Sequence, residues 1–296
     1  MSIFTGSCPA VVTPFSKDGK NINYNSFKKL INYLISGGSS ALVFLGTTGE
    51  SSTLSKQEKI EICKFAIKEV SGRVPVIVGC GSNNTLAACE NAKLFEGLGA
   101  NALLCVTPYY NKCSQDGLVK HFSAIAKSTS LPIILYNVPG RTGVNILPET
   151  VLKLSSIPNI VGIKEASGNM SQIVDLISLC GNKIDVYSGD DALTVPIMAM
   201  GGKGVISVLA NIKPKAVSNM CHFASVGHFD EARKIQLKNN KLIKSLFSDV
   251  NPIPVKSALN YLGFDVGPTR LPLSKMQISK NNKLKKNIDN SFSNLQ

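Results

Sequence analysis

The chain has 296 residues, 44% of them apolar and 17% charged, which allows a sizeable core and excludes a disordered or low-complexity protein. Its formal charge of +13 is carried almost wholly by lysine, the arginines being Arg73, Arg141, Arg233 and Arg270. With no arginine cluster and no aromatic-spaced basic stretch, nucleic acid is not expected as a partner. The N-terminal segment shows neither a basic region nor a separate apolar one, and the uncharged stretch from Leu30 to Gly49 is split by Gly37-Gly38-Ser39-Ser40, so no signal peptide or membrane span is expected.

Eight short β-branched runs recur along the chain: Ala10–Thr13, Ala41–Leu45, Val74–Gly79, Ala102–Thr107, Ile133–Asn137, Ile160–Lys164, Asp185–Ser188 and Gly204–Val208. They begin roughly 20–33 residues apart, close to the spacing of a chain that repeats a strand and a helix eight times. Helix-like stretches lie between them. The stretch from Ser55 to Val70 has an N-cap serine, early Gln57 and Glu58, and apolar residues at helical spacing (Ile60, Cys63 and Ile67). The stretches from Asn84 to Leu98 and from Gln115 to Ala126 behave alike. Strands buried on both faces and separated by helices imply a parallel sheet, and eight repeats favour closure into a (β/α)8 barrel. No G-x-G-x-x-G follows the first strand, so a dinucleotide fold lacks its fingerprint. After Val208 the alternation stops. Pro214 to Gly263 reads as successive helices, with Asn251-Pro252-Ile253-Pro254 as a break. The expected organisation is a barrel over residues 1–224 and a small helical C-terminal domain over 225–296.

Eight cysteines are scattered without a C-x-x-C pair, which reads as small buried hydrophobes in a reducing cytosol. His121, His222 and His228 show no metal-ligand spacing, so no metal site is expected. The densest basic run, Lys280, Lys283, Lys285 and Lys286, reads as a solvated helix face.

Barrel enzymes react at the C-terminal ends of their strands. Taken in order, those ends offer Thr13, Gly46-Thr47-Thr48-Gly49-Glu50, Gly79-Cys80-Gly81, Thr107, and Tyr109-Tyr110. They continue with Tyr136-Asn137, Arg141, Lys164-Glu165, Ser188-Gly189-Asp190-Asp191 and Ser207. Lys164 closes an apolar run and alternates onto the side of Gly162. If that side faces the interior, the glycine leaves room around the amine, and desolvation disfavours the ammonium form and exposes a nucleophile. By position alone a lysine at a strand end, reaching to solvent, remains open. Tyr136 ends the preceding strand and is placed to relay protons, or is a buried tyrosine with one hydrogen bond. Gly46-Thr47-Thr48-Gly49 offers backbone N–H groups and two hydroxyls suited to a carboxylate, and equally reads as a turn. Arg141 suits a second carboxylate, or is a surface arginine.

Gly46-Thr47-Thr48-Gly49-Glu50, Thr107-Pro108-Tyr109-Tyr110-Asn111, the run from Tyr136 to Gly143 and the run from Gly162 to Gly168 together resemble the signatures of the dihydrodipicolinate synthase family, the 4-hydroxy-tetrahydrodipicolinate synthases. The resemblance runs from Gly6 to about Met276. It implies condensation of pyruvate with L-aspartate-4-semialdehyde, the first committed step of the diaminopimelate route to lysine. It further implies a pyruvate imine on Lys164 with no separate cofactor, and proton transfer by Tyr136. Thr47 would join a relay with Tyr136 and with Tyr110, which the family donates across a dimer interface. Thr48 would hold the pyruvate carboxylate, Gly189 and the Ile206 backbone would line the pocket, and Arg141 would hold the carboxylate of the semialdehyde. A homotetramer built as a dimer of dimers is implied as well. Sister pyruvate aldolases such as N-acetylneuraminate lyase share the lysine and tyrosine, but Arg141 and Tyr109-Tyr110 point to a short carboxylated aldehyde. A catalytically inactive binding barrel is disfavoured, since each expected catalytic position is filled. Family members inhibited by lysine often carry histidine or glutamate where this chain has Lys56, Lys59 and Ala87. Added positive charge opposes a cationic effector, so lysine feedback is expected to be weak or absent.

Overall fold

The computed structural model describes residues 2–293. Eight parallel strands follow one another around the sheet: β1 (Gly6–Pro9), β2 (Leu42–Phe44), β3 (Val76–Gly79), β4 (Ala102–Val106), β5 (Ile133–Asn137), β6 (Ile160–Glu165), β7 (Asp185–Ser188) and β8 (Gly204–Ser207). β1 pairs with β8, and a bridge from Ala10 to Val43 brings it to β2, so the sheet closes. Closure leaves no exposed strand edge.

The helices that return the chain follow the sequence pattern. α1 spans Tyr24–Ser36 and α2 spans Lys56–Val70. Ser55 caps α2 by accepting from the Glu58 N–H while the Glu58 carboxylate accepts from the Ser55 N–H, the reciprocal capping the sequence suggested. α3 (Thr85–Gly97) starts at an Asn84 cap, and α4 (Gln115–Lys127) at a Ser114 cap. α5 (Pro139–Thr142) is a single turn, followed by α6 (Pro148–Leu154), α7 (Met170–Cys180) and α8 (Thr194–Ala199). α9 (Pro214–Ser225) packs on β1 and completes the helical ring. Beyond it come α10 (Phe229–Leu246), α11 (Ile253–Tyr261) and α12 (Ile278–Ser293). Leu242, Leu246, Val255, Leu259, Leu284 and Ile288 of these last helices join the same apolar cluster as the outer face of the barrel. No helix among the described residues is long and apolar enough to cross a membrane.

One strand differs from the sequence reading. The first strand is Gly6–Pro9 rather than Ala10–Thr13. The apolar run Ala10-Val11-Val12 is buried, as its composition suggested, but only the Ala10 and Val11 N–H groups continue the ladder, to Ser207 O and Val43 O. The Val12 N–H turns to the Asn211 side chain, and the Thr13 hydroxyl donates to Gly49 O. Burial alone does not separate a strand from a loop that runs through the core. β1 and β8 approach closely where they begin: a Cβ at Gly204 would stand 2.0 Å from Gly6 O.

The barrel has two apolar layers. An inner one includes Cys8, Val43, Ile77, Leu104, Ile134 and Ile206, and a larger outer one lies between strands and helices. Phe4 stacks on Tyr187 with ring centroids 4.2 Å apart, and the Tyr187 hydroxyl donates to Phe4 O. These rings plug the N-terminal end of the barrel. At that end the Asp185 carboxylate accepts from the Tyr187 hydroxyl, and the open space lies at the C-terminal end.

Candidate active site

Lys164 lies on β6 in register with Tyr136 of β5 and Tyr187 of β7. Its neighbour Ile163 belongs to the outer layer, so alternation turns Lys164 inward, where it is only 6% exposed. Its ammonium sits over the Tyr136 ring, 4.2 Å from the centroid. Among the described residues, no carboxylate lies within ion-pair distance of that nitrogen. A lysine held against an aromatic face on a cavity wall, without an anionic partner to occupy it, is placed to meet a carbonyl carbon.

The space around the amine has a source that the sequence reading misplaced. The missing Cβ of Gly162 is replaced by the Tyr187 ring, whose Cε2 would stand 3.2 Å from such a Cβ. The glycine that keeps Lys164 free is Gly189, where a Cβ would meet the Ala166 Cβ at 2.7 Å and the Lys164 Cε at 3.0 Å. The Gly189→Ala variant must displace Ala166 or the lysine chain to make room, so it should lose some stability and, while still folded, roughly 10–100-fold in turnover through a displaced lysine. Unchanged steady-state turnover in a folded variant would contradict this assignment.

Two cavities open at this end of the barrel and share Tyr136, Val138 and Arg141. One, of 380 Å3, is bounded by Lys164, Thr48, Gly189, Asp190 and Asn251. The other, of 290 Å3, is bounded by Thr47, Gly81, Ser51, Lys59 and Tyr109. The adjacent threonines of the Gly46–Gly49 turn thus face different cavities, with the Tyr136 ring between them. Thr48 is buried, and its hydroxyl accepts from the Asn251 amide at 2.9 Å. A short 3-10 turn (Ser51–Thr53), rather than a full helix, follows the motif. Arg141 sits on α5 at the mouth, exposed, with its guanidinium donating to Asn251 O at 3.3 Å. An inward amine, a hydroxyl-lined recess and an arginine at the rim make a site for a small anionic carbonyl compound followed by a second acid.

Residues 3–291 match the model of the "Dihydrodipicolinate synthetase family". The chain belongs to this family. It is 50% identical over 98% of both chains to the 4-hydroxy-tetrahydrodipicolinate synthase of Clostridium tetani. Among solved structures it is similar to a dihydrodipicolinate synthase from Cyanidioschyzon merolae with lysine bound, at 41% identity and a TM-score of 0.95, over 98% of this chain and 99% of that one. A monomeric dihydrodipicolinate synthase variant matches at 41% identity and the same TM-score of 0.95, over 98% of this chain and 97% of that one. The (β/α)8 architecture and the lyase class expected from the motifs are those of the family.

Six of the eight residues that the dihydrodipicolinate synthetase resemblance singled out line the two cavities: Lys164, Tyr136, Thr47, Thr48, Arg141 and Gly189. Ile206 does not. Its side chain is 1% exposed in the inner apolar layer beneath them. Tyr110 is 92% exposed and lies outside both cavities, with a left-handed backbone (φ 73°). Its loop is held by the Asn83 amide donating to Tyr109 O and the Asn111 amide donating to Asn83 O. One chain by itself therefore does not join Tyr110 to Thr47 and Tyr136.

Supporting residues complete the site: Glu50, Glu165 and Asp191, which the sequence places at strand ends without giving them a role, and Lys256, which it does not single out. Glu50, also left-handed at φ 54°, accepts from the Lys256 ammonium of α11 at 2.8 Å and from the Arg270 N–H. Both side chains of that pair are almost fully buried, and burial pulls the Lys256 pKa down to about 8 against the opposing pull of Glu50. Lys256 also lies over the Phe15 ring, 4.0 Å from its centroid. Behind Lys164, the Glu165 carboxylate accepts from the Asn137 amide and the Ser167 N–H, and its pKa is raised by burial. Asp191 accepts from the Ser207 hydroxyl and from the Val208 and Leu209 N–H groups, tying β7 to β8, and burial raises its pKa. Asn251 had shown itself only as part of a proline-rich helix break. Nothing in spacing or composition marks Lys256, one lysine among many, as buried.

Proposed function

We propose that this chain condenses pyruvate with L-aspartate-4-semialdehyde to give 4-hydroxy-tetrahydrodipicolinate, the reaction named for its relatives. The observation that carries the reading is the inward Lys164, without a carboxylate at ion-pair distance among the described residues, on the wall of the larger cavity and against the Tyr136 ring that both cavities share. The Lys164 amine adds to the pyruvate ketone and water leaves, forming the imine. Loss of a methyl proton gives an enamine whose carbon attacks the aldehyde. The amino group of the second substrate then displaces Lys164 and closes the ring. Tyr136, with Thr47, moves protons in these steps, Thr48 holds the pyruvate carboxylate, and Gly189 and the Ile206 backbone line that recess. Arg141 holds the carboxylate of the semialdehyde. The imine supplies the electron sink, so the chemistry asks for no metal or organic cofactor.

We read residues 1–224 as the catalytic barrel and 225–296 as a helical C-terminal domain that finishes the site through Asn251, with residues 1 and 294–296 of those bounds lying outside the described residues. Tyr110, exposed on a pinned loop, supports a second copy as partner and a relay completed across the interface, within a dimer-of-dimers tetramer. A cytoplasmic location and the absence of nucleic-acid and membrane partners belong to the same reading.

Arg141→Ala is expected to retain borohydride trapping of pyruvate while kcat/KM for the semialdehyde falls roughly 100-fold, the size of a lost charge-assisted contact. Turnover should be far faster with aspartate semialdehyde than with N-acetylmannosamine as acceptor. A preference for the sugar, or an intact kcat/KM in the variant, overturns the substrate assignment. Lysine feedback is expected to be weak. Lys59 is half-buried on the wall of the smaller cavity beside Ser51 and Tyr109, and its charge opposes a cation there. Half-inhibition by micromolar lysine in a coupled assay would refute this.

A further inference from the structure

The described cysteines are all free thiols, and two of them meet. Cys105 is on β4, and Cys80 is one residue beyond β3, where its N–H still bonds to Leu104 O at 3.1 Å. The register pairs Gly79 with Leu104, so the next step places Cys80 beside Cys105. Both side chains turn outward into the layer beneath α3, both are at most 1% exposed, and their Sγ atoms are 3.0 Å apart. Neighbouring strands run about 4.8 Å apart, within the Cα separation a disulfide tolerates, although so direct a cross-strand link is strained.

We propose that Cys80 and Cys105 form a reversible disulfide under a two-electron oxidant of the peroxide class, and that this link slows turnover. The Cys80 contact and burial hold the Cys105 thiol well above its ordinary pKa, so the first step is slow and calls for sustained peroxide: one sulfur gives up its proton and attacks the O–O bond, becoming a sulfenic acid as the first water leaves. The second sulfur displaces the hydroxyl as another water. Two S–H bonds and the O–O bond break, the S–S bond forms, and both electrons end on the peroxide oxygens. A strained link is also the more easily reduced kind, which makes it reversible.

The coupling follows from what flanks Cys80. A Cβ on Gly79 would stand 2.2 Å from Leu45 O, and one on Gly81 2.6 Å from the Val106 nitrogen. Both glycines line the 290 Å3 cavity that contains Thr47 and Tyr136. Drawing the sulfurs together from outside moves a segment that has no slack on the inside.

The test treats the full-length protein with hydrogen peroxide, quenches with catalase, and alkylates in denaturant before mass mapping without reductant. The expected result is two fewer alkylated cysteines than the eight of the reduced protein and a linked pair of peptides holding Cys80 and Cys105. Turnover should fall several-fold and return with dithiothreitol. Neither change should occur in Cys105→Ala or Cys80→Ser, whereas Cys89→Ser, on the nearby half-buried thiol, should behave as the parent. Eight alkylated thiols, a link through Cys89 instead, or a linked protein with undiminished turnover each overturn the proposal. The effect on turnover rests on the functional reading given above. The link itself is read by mass, so a protein that links but does not trap pyruvate would sink that reading and leave the disulfide standing.

Discussion

Lys164→Ala abolishes turnover, by roughly four orders of magnitude or more, because no neighbouring group replaces a covalent nucleophile. The parent, incubated with pyruvate and borohydride, gains one reduced-pyruvate mass on the peptide that contains Lys164, and the variant gains none. The prediction rests on three features that act together. β6 turns the side chain inward, the Tyr136 ring faces its ammonium at 4.2 Å, and Gly189 leaves its methylene chain unobstructed. The variant should remain folded, since removing a lysine that has no carboxylate partner leaves no unpaired charge behind. A parent protein whose Lys164 peptide stays unmodified would defeat the mechanism outright, whatever the residual activity of the variant.

Lys256→Met has the largest expected effect on stability, a loss of about 3–5 kcal/mol, because it strands the buried Glu50 carboxylate. The pair is 2.8 Å long with side-chain exposures of 2% and 1%, so solvent does not screen it. The Arg270 N–H still reaches Glu50 in the variant, but one neutral donor does not balance an anion in an apolar surround. In urea unfolding, Glu50→Gln combined with Lys256→Met should recover a large part of the loss, since the double change removes both charges and keeps an acceptor for Arg270. A single variant within about 1 kcal/mol of the parent would show the pair to be energetically idle. The pair matters to the site as well as to stability. Glu50 closes the Gly46–Glu50 turn that carries Thr47 and Thr48, and its partner comes from α11, which the chain adds after the barrel is complete. The Asn251 amide on Thr48 is a second tie from the same region. The C-terminal helices thus hold one wall of the cleft in place.

The electrostatic layout also gives the surplus of positive charge a local meaning. Arg141 and Lys244 stand at the larger cavity and Lys59 at the smaller. Cations at a concave opening raise the local concentration of small anions and steer them inward. The same charges make a cationic effector unwelcome, which links the expected weakness of lysine feedback to the expected substrate preference.

The sequence by itself determined the parallel barrel and the end at which chemistry occurs. It did so because those features are written in short-range physics: apolar runs long enough for strands buried on both faces, helix caps such as Ser55 with Glu58, and polar residues gathered after the strands. Four linked motifs further restricted Lys164, Tyr136, Thr47, Thr48 and Arg141 to one cleft. Tertiary structure alone decided how those residues are supplied with room and partners. Position near Lys164 in the chain suggested Gly162 as the source of space, but that space is filled by Tyr187 of the next strand, and the open side comes from Gly189, 25 residues later. The first strand was misread for a related reason, since Ala10–Thr13 is as buried as a strand while the Val12 N–H leaves the ladder for the side chain of Asn211, far along the chain. Lys256, Asn251 and Asp191 act through contacts that close only when β8 and the C-terminal helices pack, and a lysine in an amphipathic helix reads as solvent-facing until something buries it. Local sequence fixes a residue's conformation and polarity. Its exposure, and hence whether a charge is a surface ornament or a buried tie, depends on residues hundreds of positions away.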